Sequence, residues 1–208
     1  MRKKLRILLP GLIIFFSFVY FSYLVHDRLF SAIDFDTTVR LQNHISHRFD
    51  TLFSVFSLVG SAEVVSVILL VILIIKRKLS LIPALFGFAV LHIIELYGKV
   101  FVNHPPPPFL FFRYDIPFQF PTSYVQPGSS YPSGHAARTA FITAILAILI
   151  SRSKKLSKNA KIISYLLITI FDITMFVSRI YLGEHWFSDV AGGALLGGGL
   201  GIISMVFI

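Results

Sequence analysis

Two histidines with different neighbours carry the chemical interest of this sequence. His135 closes the run Tyr131-Pro132-Ser133-Gly134-His135, and His185 follows Ser178-Arg179 and precedes Asp189 by four residues. A third polar group is Glu95 and Lys99, with His104 just beyond. The four-residue spacing puts His185 and Asp189 on one face of a helix start, where the carboxylate can accept an imidazole N–H. That pairing holds the other ring nitrogen unprotonated and aimed outward, as a nucleophile or base requires. Arg179, returned to the same spot by the short Tyr181 to Glu184 turn, offers a planar, permanently charged fork that suits a phosphate. Ser133 and Gly134 open a helix whose free backbone N–H groups and positive dipole end favour an anion. His135 can then give a proton to a leaving oxygen. Lys99 adds a cation, which Glu95 one turn earlier can orient.

Each group also has a plainer reading. Ser-Gly-His at a helix start is compatible with an ordinary cap, and His185 with Asp189 is compatible with a structural hydrogen bond. Three histidines suggest zinc, but Lys99 and Arg179 make their surroundings basic and disfavour a dication, so no metal is expected. His92, Glu95 and Asp172 fit interhelical polar contacts. Arg138, one turn after His135, can reach an anion or pair with a carboxylate. Trp186 and many of the tyrosines fit interfacial anchors. The absence of Cys excludes disulfides and thiolate chemistry.

The elements that must position these residues are helices in a bilayer. The chain has 208 residues, 55% of them hydrophobic, with mean hydropathy +0.78 and only 14% charged residues, well beyond soluble usage. Apolar runs predict six spans at about 7–25, 62–75, 81–102, 136–150, 162–180 and 187–208. The first run also fits a signal peptide, but no small-residue cleavage site follows it, so a span is expected. Loosely spaced apolar residues from Ile33 to Phe56 predict an amphipathic helix lying at the interface. Residues 103–132, rich in Pro, aromatics and Ser, are too irregular for the hydrocarbon core and form a loop between spans three and four. The fold expected is all-α, one domain over 1–208, with a small-residue packing face in the last helix at Gly192, Gly193, Gly197, Gly198, Gly199 and Gly201.

The net charge of +9 is concentrated: 12 of the 19 Lys and Arg fall in clusters at 2–6, 76–78 and 152–161. Each cluster ends an apolar run, which the positive-inside bias assigns to the cytoplasm, with the 103–132 loop and all three polar groups on the other side. With no recognised motif or aromatic stacking platform beside the clusters, nucleic-acid binding is not expected.

The fragments YPSGHA and SRIYLGEHWFSDV resemble the second and third signature motifs of the type 2 phosphatidic acid phosphatase superfamily, membrane lipid phosphatases related in fold to bacterial acid phosphatases and vanadium haloperoxidases. Both match at every defining position, and with the six-helix pattern the resemblance covers nearly the whole chain. It implies that His185 attacks phosphorus to form a phosphohistidine and that Asp189 orients it. His135 would protonate the leaving group, while Lys99, Ser133, Gly134 and Arg179 bind the phosphoryl oxygens without a metal or other cofactor. The first family motif is Lys, six residues, then Arg-Pro. Here KVFVNHPPPP keeps Lys99 but has Pro106 in place of Arg. Loss of a transition-state donor is worth a few kcal/mol, on the order of 3. Arg138, Arg113 and His104 are possible substitutes, and Arg138 is favoured because span four holds it rigidly.

The expected activity is hydrolysis of a lipid phosphate such as phosphatidic acid, phosphatidylglycerol phosphate or undecaprenyl diphosphate, in a bacterial inner membrane. A lipid phosphotransferase with the same intermediate is the second reading, and a non-catalytic lipid-binding protein marked by Pro106 is the third. Haloperoxidase activity is set aside because those relatives are soluble.

Overall fold

The computed structural model describes residues 2–76, 82–120 and 128–207. Arg77 and Lys78 of the second basic cluster, Leu81 at the expected start of span three, residues 121–127 of the long loop, and Ile208 lie outside them. Every regular element among the described residues is helical. The order is α1 (Arg2–His26), α2 (Ser31–His44), α3 (Asp50–Ser57), α4 (Ala62–Lys76), α5 (Ile82–Phe101), α6 (Gly134–Arg152), α7 (Lys158–Tyr181) and α8 (Phe187–Ser204), with short 3-10 turns between or after them.

Five of these helices, α1, α5, α6, α7 and α8, are each long and apolar enough to cross a membrane. The sixth span is less regular than its apolar run predicts. At 15 residues, α4 reaches only about 22 Å at 1.5 Å per residue, short of ~30 Å of hydrocarbon. Together with the segment His47–Gly60 before it, across a 48° bend at Ser61, it is long and apolar enough for a sixth, broken span. Large apolar side chains such as Ile13, Ile74, Phe86, Val100 and Leu167 point outward along the bundle, as a lipid-solvated protein requires.

Helices α6 and α8 form the centre. A methyl group at Gly197 would run into the Ala137 carbonyl, and one at Gly199 would meet the Phe15 amide of α1 at 2.9 Å. Small residues therefore let backbones approach where lipid supplies no hydrophobic drive for association. The expected packing face is real but narrower than predicted, because Gly198 faces open space.

The predicted amphipathic helix is two helices, α2 and α3, broken where Ile45 turns extended. Ile33 and Phe35 of α2 are exposed, as a helix lying at the interface requires, while its opposite face buries Asp34 and Thr38 against the bundle. Apolar spacing marks a lipid-facing stripe here, and the inward face is selected by polar partners described below. His92 likewise bonds within its own helix, to the Phe88 carbonyl at 2.9 Å, whereas Asp172 makes the expected interhelical bond, accepting from Thr143 at 2.9 Å.

Gly197→Ala should therefore lower stability by about 2 kcal/mol through overpacking. Gly198→Ala should stay within about 0.5 kcal/mol of the parent. Thermal unfolding in detergent separates the two, and equal effects would show that α6 and α8 do not pack this closely.

Candidate active site

Contacts between helix ends set which residues share one end of the bundle. The α1 end meets the α5 end, where the His26 ring contacts the Val102 carbonyl at 3.2 Å. The α6 and α8 starts are joined by Ser133 N–H donating to the Asp189 carbonyl at 2.9 Å. Between α7 and α8, Gly183 adopts φ +70°, a left-handed conformation that glycine takes without strain. A side chain there would strike the Phe111 carbonyl. This turn brings Glu184 and His185 back so that both amides reach the Arg179 carbonyl at 3.3 Å. The loop after α5 is pinned to the same corner by Trp186 Nε1 donating to the Pro105 carbonyl at 2.8 Å and by Ser130 N–H donating to the His104 carbonyl at 2.9 Å. All three polar groups singled out in the sequence thus lie together, opposite the start of α1 and the α6–α7 connection.

There they surround a cavity of about 410 Å³, with Lys99, Gly134, His135, Arg138, Arg179 and His185 on its wall. His135 lies within electrostatic range of Arg179, Arg138, His185 and Lys99. Arg179 is only 2% exposed. Its Nη2 pairs with Glu184, but among the described residues Nε and Nη1 have no hydrogen-bond partner, nor does the buried Ser133 Oγ. Buried donors left unpaired are costly, and an anion in the cavity is the ligand class that would satisfy a guanidinium. Ser133 itself departs from expectation: its backbone N–H is used by Asp189 rather than left free.

Asp189 is shared in a way its sequence spacing does not indicate. Its Oδ2 is 3.6 Å from His185 Nδ1, beyond hydrogen-bond range, and that nitrogen has no hydrogen-bond partner among the described residues. Instead Asp189 Oδ1 accepts from His104 Nδ1 at 2.7 Å, and Oδ2 accepts the Trp186 N–H at 2.8 Å. Burial pushes the His185 imidazole down to about 4, outweighing the adjacent carboxylate, so the ring is neutral at ordinary pH.

The substitutes considered for the missing Arg occupy different places. Pro106 and Pro107 line the cavity. Arg113 is elsewhere, 5.1 Å over the Tyr181 ring and bonded to the Ile45 carbonyl. His104 is bound to Asp189. Arg138 does line the cavity, but it also pairs: Nη1 donates to Glu95 Oε2 at 2.9 Å and Nε to the Gly60 carbonyl at 3.0 Å. Glu95 therefore serves Arg138, while Lys99 Nζ donates to the Pro132 carbonyl at 3.4 Å.

Three residues escaped the sequence reading. Asp34 on α2 accepts from Ser188 N–H and Oγ–H, each at 2.8 Å. Gln42, also on α2, donates to the Phe111 and Tyr181 carbonyls. Glu184 pairs with Arg179. The signal for α2 was available, since Asp34, Thr38 and Gln42 recur at four-residue spacing on one face.

Known proteins resemble this chain in sequence and in fold. Residues 67–208 match the family model of the PAP2 superfamily. A 69-residue stretch is 36% identical to phosphatidylglycerophosphatase B of Bacillus subtilis (strain 168), covering 33% of this chain and 34% of that relative, so the match spans about a third of its length. A crystal structure of a transmembrane PAP2 type phosphatidylglycerolphosphate phosphatase from Bacillus subtilis superposes with TM-score 0.76 over 93% of each chain at 17% identity, a likeness of fold. The crystal structure of Aquifex aeolicus LpxE superposes with TM-score 0.62 at 27% identity, over 83% of this chain and 94% of that one. The family model covers well over half of an all-helical chain with multiple membrane spans, and the chain belongs to the PAP2 superfamily.

Proposed function

We propose that this protein is a membrane lipid phosphate phosphatase working through a phosphohistidine. One observation carries the reading: two imidazoles and the cations of Lys99 and Arg179 line a single cavity whose wall also includes Leu96 and Phe109, 65% and 81% exposed toward the bundle exterior. A headgroup can reach the polar end while its tail stays in lipid. The name of the curated relative makes phosphatidylglycerol phosphate the first substrate to try, ahead of phosphatidic acid and undecaprenyl diphosphate.

In the first step the free ring nitrogen of neutral His185, Nε2, attacks phosphorus. The phosphorus–oxygen bond to the lipid breaks, and His135 gives its proton to the leaving oxygen. The positive charge gained by the His185 ring is met by Asp189. Water then attacks phosphorus, the phosphorus–nitrogen bond breaks and phosphate leaves, with His135 taking the proton from water. Lys99, the Arg179 donors, Ser133 and the start of α6 at Gly134 hold the phosphoryl oxygens throughout. Arg138 supplies the cation that Pro106 removes, held in place by Glu95. The basic clusters face the cytoplasm and the cavity the opposite side, in a bacterial inner membrane.

Phosphate release from a lipid panel is expected for the parent, inhibited by vanadate and reduced at least about 10³-fold by His185→Ala. Release from no lipid, or transfer to an acceptor without free phosphate, would overturn hydrolysis.

The depressed His185 pKa sets the acid limb. Its neutral form is the nucleophile, so kcat/KM should hold as pH falls below 6 and be lost only as pH approaches about 4. A limb near the ordinary histidine value of about 6.5 would contradict this.

Removing Arg138 alone strands Glu95, a loss of about 3 kcal/mol or more in stability. In Glu95→Gln/Arg138→Met, stability should largely recover while turnover stays about 100-fold down. Recovery of turnover as well would reduce Arg138 to a structural partner.

A further inference from the structure

Behind the cavity wall lies a second, buried cluster that the reaction scheme leaves unexplained. His104 sits between two carboxylates from different helices. Its Nδ1 reaches Asp189 Oδ1 on α8 at 2.7 Å, and its Nε2 faces Asp34 Oδ2 on α2 at 3.8 Å. All three side chains are nearly inaccessible. Asp34 in turn holds the start of α8 through both donors of Ser188, and Asp189 Oδ2 is the oxygen nearest His185 Nδ1, at 3.6 Å. A line of acid and base groups therefore runs from α2 to His185 through one hydrogen bond, at 2.7 Å, and two longer ion-pair contacts: Asp34, His104, Asp189, His185.

We propose that His104 and Asp34 are positioning residues for the nucleophile: a protonated His104, clamped between Asp34 and Asp189, fixes the Asp189 carboxylate and sets how much of its charge is offered to His185. The inference rests on the phosphohistidine reading above and adds two residues to it. Neither touches the cavity, so both act through Asp189.

The chemistry of the clamp is specific. An ionised carboxylate only accepts hydrogen bonds, so a ring facing one on each nitrogen is best served with both nitrogens protonated. Burial alone would oppose that charge, but the Asp189 hydrogen bond and the Asp189 and Asp34 charges outweigh it and raise His104 above its ordinary range. The charged groups facing the ring are Asp189 from α8, Asp34 from α2 and, in opposition, Arg28 from the turn before α2. The sign follows. His104 is protonated in the folded protein over a wider range than in the unfolded chain, so its stabilising effect is complete below the ordinary value and lost as pH rises through the raised one. Before attack, a protonated His104 draws Asp189 away from His185 and leaves that ring a free base. After attack, the positive phosphoimidazole competes for the same carboxylate.

Three variants test the idea in the full-length detergent-solubilised protein. His104→Asn keeps a neutral donor near Nδ1 and should retain activity within about 10-fold, whereas His104→Ala should lose about 10- to 100-fold in kcat with little change in KM. Asp34→Asn keeps partners for Ser188 while removing one charge. It should move the His104 titration down by roughly one pH unit. Imidazole nitrogen-15 spectra, with the His104 signals assigned from His104→Asn, should show both ring nitrogens protonated in the parent at pH 7 and the same downward shift in Asp34→Asn. This readout needs no turnover. If the parent hydrolyses no lipid phosphate, the phosphatase reading fails while the spectra still decide the clamp. An unmoved His104 titration in Asp34→Asn overturns the proposal, as does undiminished kcat in His104→Ala. Should His104→Ala not fold, His104→Asn and Asp34→Asn decide alone.

Discussion

The close approach of α6 and α8 is the constraint from which the rest follows. With Gly197 against the Ala137 carbonyl, the two helices lie nearly backbone to backbone and their N-termini come level. Ser133 N–H can then reach the Asp189 carbonyl, and two helix starts with their positive dipole ends converge on one corner. One start carries His135 and the other is preceded by His185. A bulkier seam would slide the two imidazoles apart even though every motif residue remained in place.

Electrostatically, that corner has been built short of negative charge. Arg179 and Arg138 each have one carboxylate partner, Glu184 and Glu95 respectively, but two Arg179 donors remain unsatisfied in a nearly inaccessible side chain. Membrane interiors punish such an arrangement, and the proposed anion site rests on it. The neutral His185 fits the same logic. Burial among cations disfavours a further positive charge, and a ring kept free of its proton is the form that the proposed attack on phosphorus requires.

Much of this was legible in the residues. Spans α1, α5, α6, α7 and α8 were visible as apolar runs of sufficient length, because lipid on all sides leaves no other way to satisfy their backbones. The grouping of Lys99, His135, Arg179 and His185 followed from alternating span direction alone. What went unread was the inward face of α2. Its apolar spacing is genuine, yet Asp34 turns inward because its partner, Ser188, lies 154 positions along the chain, and periodicity reports a stripe without saying whether lipid or protein covers it. The second span was visible as the apolar run at 62–75, but the bent segment that lengthens it is a property of packing.

By itself, then, the sequence determined the all-helical membrane architecture, the end of the bundle where polar groups gather, and the family, since each depends on residue type and short spacing. Only the tertiary structure decided how shared partners are divided. Asp189 stands four residues from His185, but it bonds to His104, 85 positions away. Glu95 stands four residues from Lys99, but it pairs with Arg138, 43 positions away. The physical reason is competition: a buried carboxylate has few acceptor sites, and which donor wins them depends on distances across helices that no local pattern encodes.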